Sequence, residues 1–175
     1  MRGPVRSMTI GIICCFLIPL FQGGCATDRV AVDLVNYINQ DILSIASLEQ
    51  DALGQYASVT GKNYTTAAAV REALEKKVIP RYSEFVRLLR TFRPETEEVR
   101  RLHGIYLKGA DLLLNGFRTK LAGLEKGDEF LIRAANAQIE KGRQENEKWR
   151  RQLSELYVKH GVAEKGTVPK KKKTD

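Results

Sequence analysis

The sequence predicts an all-α protein, an up-down-up-down bundle of four long helices, and three observations support this fold class. Apolar residues recur at three- and four-residue steps along most of the chain, no stretch alternates apolar and polar residues as a half-buried strand does, and few breakers interrupt the pattern. Each segment carries one apolar stripe, which suits helices that share a core. A helix of about 30 residues would be about 45 Å long.

The first helix is predicted from about Asp28 to Val59, closing before Gly61. Polar residues, Asp33 among them, are expected on the faces away from the core. The apolar stripe of this helix comprises Ala31, Val35, Ile38, Ile42, Ile45, Ala52 and Tyr56.

The second helix is predicted to follow an N-cap at Thr65 or Thr66. Its apolar stripe comprises Val70, Leu74, Val78, Phe85, Leu89 and Phe92. Pro80 lies inside this stripe and has no amide hydrogen to donate to the preceding turn, so the helix is expected to bend or break near Ile79.

The third helix is predicted from about Pro94 to Lys126, because proline suits a first turn and Glu95, Glu97 and Glu98 suit the positive end of a helix dipole. Its apolar members are Leu102, Ile105, Tyr106, Leu112, Leu113, Phe117, Leu121 and Leu124.

The dipeptide Gly127-Asp128 predicts a stop and a restart, since glycine favours the left-handed position after a helix and aspartate caps the next one. The fourth helix then runs from about Glu129 to His160 and closes before Gly161. Its buried residues are expected to be Leu131, Ala135, Ile139, Trp149, Leu153 and Leu156.

The first residues have the order of a secretory signal peptide. Arg2 and Arg6 are followed by an apolar run, Met8 to Phe21. That run of about 14 residues is shorter than the roughly 20 that a membrane-spanning helix needs. A cleaved signal therefore fits better than a permanent span.

The end of this segment carries a specific attachment chemistry. Gly23 and Gly24 lead directly to Cys25, and the segment resembles the lipobox of bacterial lipoproteins, although Gln22 stands where that family usually has an aliphatic residue. The resemblance implies that residues 1–24 are removed and that Cys25 becomes the first residue, with a diacylglyceryl group on its sulfur and acyl chains such as palmitate.

An acylated Cys25 would anchor the protein in a membrane without spanning it. By the same resemblance, Ala26 after the cysteine, in place of an aspartate, favours the outer membrane, with the protein on the periplasmic side of the cell envelope. Cys14 and Cys15 leave with the signal, so no disulfide is available to the mature protein.

Residues 25–163 are predicted to form the bundle domain, and residues 164–175 a disordered, lysine-rich tail with nothing to bury. Lys170, Lys171, Lys172 and Lys173 suit contact with an anionic surface. The signal and the tail together hold more than half of the net charge of +8, which leaves the bundle an ordinary surface. Its aromatic residues are expected in the core or at its boundary, so nucleic-acid binding is not expected.

The sequence contains no C-x-x-C-H haem motif, no G-x-S-x-G, no P-loop and no glycine-rich dinucleotide motif. Bundle enzymes usually hold metal through Glu-x-x-His, and neither His103 nor His160 completes that motif. His103 near Glu97 or Glu98 suggests an acid–base pair, but a lone histidine near a helix start is more simply a surface or boundary residue. We therefore expect no cofactor, no metal and no catalysis.

Gly109, Gly116 and Gly123 recur every seven residues in line with Leu102. Each glycine inside a helix costs about 1 kcal/mol relative to alanine, so a stripe of three requires a reason. One reason is a close crossing with a neighbouring helix, which is the preferred interpretation. The other is a groove that faces the bend at Pro80 and holds an apolar ligand.

The sequence thus predicts a lipid-anchored bundle that binds a protein or another envelope partner. The alternative is a periplasmic carrier or sensor of a small apolar ligand held between the helices. The first would need an exposed apolar or charged patch, and the second a cavity between helices.

Overall fold

The computed structural model describes residues 27–162, and within this range the protein is helical with no β-strand. The predicted all-α fold class is confirmed, and the long helices pack together. The predicted signal peptide, the anchor Cys25 and the lysines Lys170 to Lys173 lie outside the described residues.

The helices follow one another with short connections. Two of the helical stretches contain a π-helical segment, and a short 3-10 turn follows the first stretch. In chain order the elements are α1 (Arg29–Asn36), a π segment (Tyr37–Ile42), α2 (Leu43–Ala57), the 3-10 turn (Gly61–Asn63), α3 (Ala67–Ala73), a second π segment (Leu74–Val78), α4 (Ile79–Leu89), α5 (Glu97–Lys126) and α6 (Glu129–Lys159).

Local side chains set several of the helix ends. Asp28 caps α1 by accepting hydrogen bonds from the backbone N–H groups of Val30 and Ala31. Thr66, rather than Thr65, caps α3. Between α5 and α6, Gly127 has a left-handed φ of 65°, and Asp128 accepts from two backbone N–H groups of the next turn. The predicted stop and restart at this dipeptide is therefore confirmed.

The first π segment explains an error in the predicted stripe of the first helix. Val35 was expected in the core but is 37% exposed, whereas Leu34 and Tyr37 are buried. A π turn contains about one residue more than an α turn. Regular α-helical steps counted back from Ile42 across the π segment therefore lose register with the buried face before they reach α1.

The start of α5 also differs from the prediction. The helix begins at Glu97, not Pro94: Thr96, the residue before the helix, has an extended backbone and is hydrogen-bonded to Asp33. The Asp33 carboxylate accepts hydrogen bonds from the backbone N–H of Glu95 (3.1 Å) and from the backbone N–H and hydroxyl of Thr96 (2.7 and 2.6 Å). Asp33 was expected on a polar face, but it is only 6% exposed.

Pro80 lies in the first turn of α4, where a missing amide hydrogen is best tolerated. The second π segment, Leu74–Val78, comes just before it, and the chain stays helical across the proline. The predicted break is therefore absent, and the change in hydrogen-bonding pattern occurs before the proline.

The most extensive helix–helix contact joins α5 and α6, which run antiparallel, since Gly109 lies against Gly142 and Gly123 against Ile132. One core connects all the helices. Its largest fully buried side chains are Tyr37, Tyr82, Phe85, Phe117, Leu34, Leu74, Leu89, Leu102 and Leu113.

Candidate functional site

The glycine stripe lies in the contact between α5 and α6. A Cβ atom on Gly116 would lie 2.6 Å from Cγ1 of Ile139, and one on Gly109 would lie 2.2 Å from Oδ1 of Asn146. At all three stripe positions, the atoms nearest to such a Cβ belong to α6. The glycines therefore do not face Pro80, which is exposed on α4, and the groove expected between them is filled by α6.

Gly142, on α6, completes this contact and was not singled out in the sequence. A Cβ there would lie 2.7 Å from Cγ of Leu113 and 2.9 Å from the carbonyl oxygen of Gly109. Side chains are thus absent on both helices where their backbones approach most closely.

A second feature is a group of buried and half-buried polar and aromatic side chains, here called the polar core. Tyr106 donates a 2.6 Å hydrogen bond to Oε2 of Glu49 and stacks on Trp149 at 4.3 Å between ring centroids. Burial raises the pKa of the Glu49 carboxyl, against the opposing effect of this hydrogen bond. The members of the polar core are Tyr37, Glu49, Tyr82, His103, Tyr106, Asn146 and Trp149.

His103 belongs to this polar core and not to the surface, so its predicted position was wrong. It is only 9% exposed, and Nδ1 lies 3.3 Å from the hydroxyl oxygen of Tyr37. Burial lowers the pKa of His103, so the neutral ring can accept a hydrogen bond from the Tyr37 hydroxyl. Glu97, suggested as an acid–base partner, instead pairs with Arg100 and Arg101.

Three other buried polar atoms of the polar core lack a hydrogen-bond partner within the protein. They are the Tyr82 hydroxyl, Oδ1 of Asn146 and Nε1 of Trp149. Asn146 interacts electrostatically with Tyr82, and Trp149 with Tyr37, but neither pair meets the geometry of a hydrogen bond. Burial raises the pKa of both tyrosines above its usual range, so their hydroxyls stay protonated near neutral pH.

A groove of about 330 Å³ lies between α2 and α6. Leu53 and Leu113 supply apolar surface, while Arg143, Arg150 and Glu147 supply charge. This is the type of inter-helix space that a carrier of small molecules would need.

Two long-range contacts define one end of the molecule, here called the proximal end. Oδ2 of Asp28, before α1, lies 2.7 Å from Nδ1 of His160, after α6. The Asp33 hydrogen bonds bring the start of α5 to the same place. The hydrogen bond with His160 lowers the pKa of the Asp28 carboxyl, which favours the ionised carboxylate. Both ends of the described chain therefore lie at the proximal end.

The opposite end, here called the distal end, is where α2 finishes and where α5 turns into α6. Nζ of Lys120 joins these elements through hydrogen bonds to the Tyr56 hydroxyl (2.8 Å) and to Oδ1 of Asn136 (2.9 Å). Two aromatic side chains are exposed on this end: Tyr64, by 57%, in the loop after α2, and Phe130, by 71%, in the first turn of α6.

These two exposed aromatic residues were expected in the core or at its boundary, and that expectation was wrong. Phe130 precedes Leu131 by one residue and is therefore out of phase with the apolar stripe of α6. This phase is the sequence signal that could have identified Phe130 as exposed. Tyr64 lies among turn residues and has no helical stripe to join.

Residues 27–162 contain no group of three or more His, Cys, Asp or Glu side chains placed to hold a metal ion. Within the same range, no helix combines the length and the apolar character needed to cross a membrane. Comparisons with protein-family models, with curated proteins and with solved structures found no match to this chain.

Proposed function

We propose that the protein is a membrane-anchored bacterial lipoprotein whose helical bundle binds a protein or envelope partner through its distal end, without catalysis. The observation that carries this proposal is that the proximal end and the distal end lie at opposite ends of the bundle. The described chain begins at the proximal end, two residues after Cys25 in the sequence, and exposed aromatic side chains occupy the distal end. Exposed aromatic residues supply much of the binding energy of protein interfaces.

The bundle in this proposal has up-down-up-down topology with a bend near Pro80. Contacts between neighbouring helical stretches support this arrangement. Arg81 pairs with Asp51 at 3.3 Å between neighbouring stretches, and the glycine contacts set α5 against α6. The π segment beside Pro80 supports the bend, because helix irregularities of this kind are a common cause of kinks.

The proposed anchor places the bundle on the periplasmic side of the envelope, at the outer membrane if Ala26 acts as the lipoprotein resemblance implies. A partner would then be met by the surface that faces away from the lipid. The distal end suits this role, because it lies opposite the proximal end, where α1 begins.

The carrier alternative is less well supported. The glycine stripe, which suggested a ligand groove, is covered by α6. The groove beside Leu53 is the space that this alternative would use. Arg143 and Arg150 lie at its edge, and both are exposed to solvent.

Lipidation is tested at Cys25. In protein extracted from membranes, intact-mass measurement is expected to show a mature chain that starts at Cys25 and carries added acyl mass. Cys25→Ser should remain unprocessed or be released from the membrane, because it lacks the thiol that is alkylated. A wild-type chain that starts elsewhere and carries a free thiol would contradict the proposed anchor.

Partner binding is tested at Phe130. A photo-crosslinking amino acid at this position in the full chain is expected to give a discrete adduct of higher mass in native cells. Leu43, which is 59% exposed on the side of the bundle, is the matched control and should give none. An adduct at position 43 with none at position 130 would place the partner on the side of the bundle and overturn the proposed role of the distal end.

A further inference from the structure

We propose that the proximal end lies directly on the bilayer surface, with Val158 and Val32 in contact with the lipid headgroup region. This inference rests on the proposed acylation of Cys25 and goes beyond it, because it assigns a specific protein surface to the membrane.

The short chain between Cys25 and α1 limits how far α1 can lie from the anchor. Only Ala26 and Thr27 separate Cys25 from Asp28, the residue that caps α1. Three steps between consecutive Cα atoms span at most about 11 Å. With the acyl chains of Cys25 in the bilayer, the start of α1 must therefore lie at the membrane surface.

The contacts at the proximal end hold parts of α5 and α6 beside the start of α1. The pairing of Asp28 with His160 ties the end of α6 to the start of α1. Asp33 ties the start of α5 to α1 through its bonds to Glu95 and Thr96. A bilayer that touches the start of α1 therefore also faces these parts of α5 and α6.

The exposed side chains at this end suit a membrane interface. Val158 near the end of α6 is 82% exposed, and Val32 in α1 is 47% exposed, so both present apolar surface to the outside. Arg29 and Lys159 are exposed beside them. Long basic side chains can reach phosphate groups while their stems cover apolar surface, a pattern found at membrane interfaces.

The sequence after α6 carries further positive charge. Lys170 follows Val162 by eight residues, a length of chain that spans at most about 28 Å. This length of chain would allow Lys170 to Lys173 to reach the same anionic surface, and an acyl anchor combined with a polybasic segment holds a membrane better than either one alone.

The test measures the depth of a fluorescent probe in the acylated full chain, purified from membranes and returned to vesicles of phosphatidylethanolamine and phosphatidylglycerol. Val158→Cys is labelled with a small thiol-reactive fluorophore, and lipids with a spin label near the headgroup quench it on contact. Phe130→Cys, 71% exposed at the distal end, is the matched control. No other thiol competes, because Cys14 and Cys15 belong to the predicted signal and Cys25 is acylated.

Quenching of the probe at position 158 is expected to exceed that at position 130 by at least about twofold, since only the proximal probe can touch lipid. Equal quenching at both positions, or stronger quenching at position 130, overturns the proposed orientation. Intact mass measured on the same samples separates the two proposals: a chain without acyl mass refutes the anchor, whereas an acylated chain with no quenching at position 158 refutes only the membrane contact.

Discussion

Gly116→Ala is expected to lower the free energy of unfolding by about 1–3 kcal/mol, the usual cost of overpacking a close contact. The new methyl group would lie 2.6 Å from Cγ1 of Ile139 and 3.1 Å from the backbone nitrogen of the same residue. A side chain can turn away, but the backbone of α6 has to shift. Gly116→Leu is expected to lose more. Denaturant unfolding of each variant measures the change.

Gly104 supplies the matched control for this prediction. It lies in the same helix, and a Cβ there would meet nothing within 4 Å. Gly104→Ala is therefore expected to raise stability by about 0.5–1 kcal/mol through helix propensity alone. If Gly116→Ala stabilised the protein as much as Gly104→Ala does, α5 and α6 would have to lie further apart than the structure shows.

Asp33→Ala is expected to cost about 2–4 kcal/mol of unfolding free energy, because it leaves two backbone N–H groups and the Thr96 hydroxyl without their charged acceptor. The substitution also removes the contact that fixes the start of α5 against α1. Equilibrium unfolding in denaturant, followed by circular dichroism, measures the loss.

Asp51→Ala is the comparison for this second prediction. Asp51 pairs with Arg81 at 3.3 Å, but both side chains are more than half exposed. Exposed pairs of this kind contribute about 0–1 kcal/mol. Equal losses for the two variants would show that Asp33 contributes no more than an ordinary surface charge.

The sequence was sufficient for the fold class and for several helix ends because both depend on neighbouring residues. A left-handed glycine followed by an aspartate cap, as at Gly127 and Asp128, is a local arrangement that needs no knowledge of the rest of the chain. Thr66 belongs to the same class of signal.

Features that depend on distant residues were not predictable in this way. Asp33 appeared to be an ordinary polar residue because its partners, Glu95 and Thr96, lie about 60 positions later. His103 appeared to be a surface residue for the same reason, since Tyr37 faces it from another helix. The π segment Tyr37–Ile42 added an error of phase that regular helical counting cannot reveal.

The candidate site was only partly predictable from the sequence. The regular spacing of Gly109, Gly116 and Gly123 indicated a close helix crossing. Gly142 completes that contact from α6, but it is not part of a regularly spaced glycine series, so the sequence did not point to it. The exposure of Phe130 was not predicted, although its phase could have indicated it, whereas that of Tyr64 required the path of the loop.

The contact between Asp28 and His160 has a consequence for the order in which the chain can fold during synthesis. The hairpin of α5 and α6 needs only neighbouring sequence, so it can form as soon as both helices exist. The start of α1 is synthesised before the other helices. Its contacts are complete only after Glu95, Thr96 and His160 have also been synthesised. The exposed first helix is therefore the part of the nascent chain that depends longest on protection from aggregation.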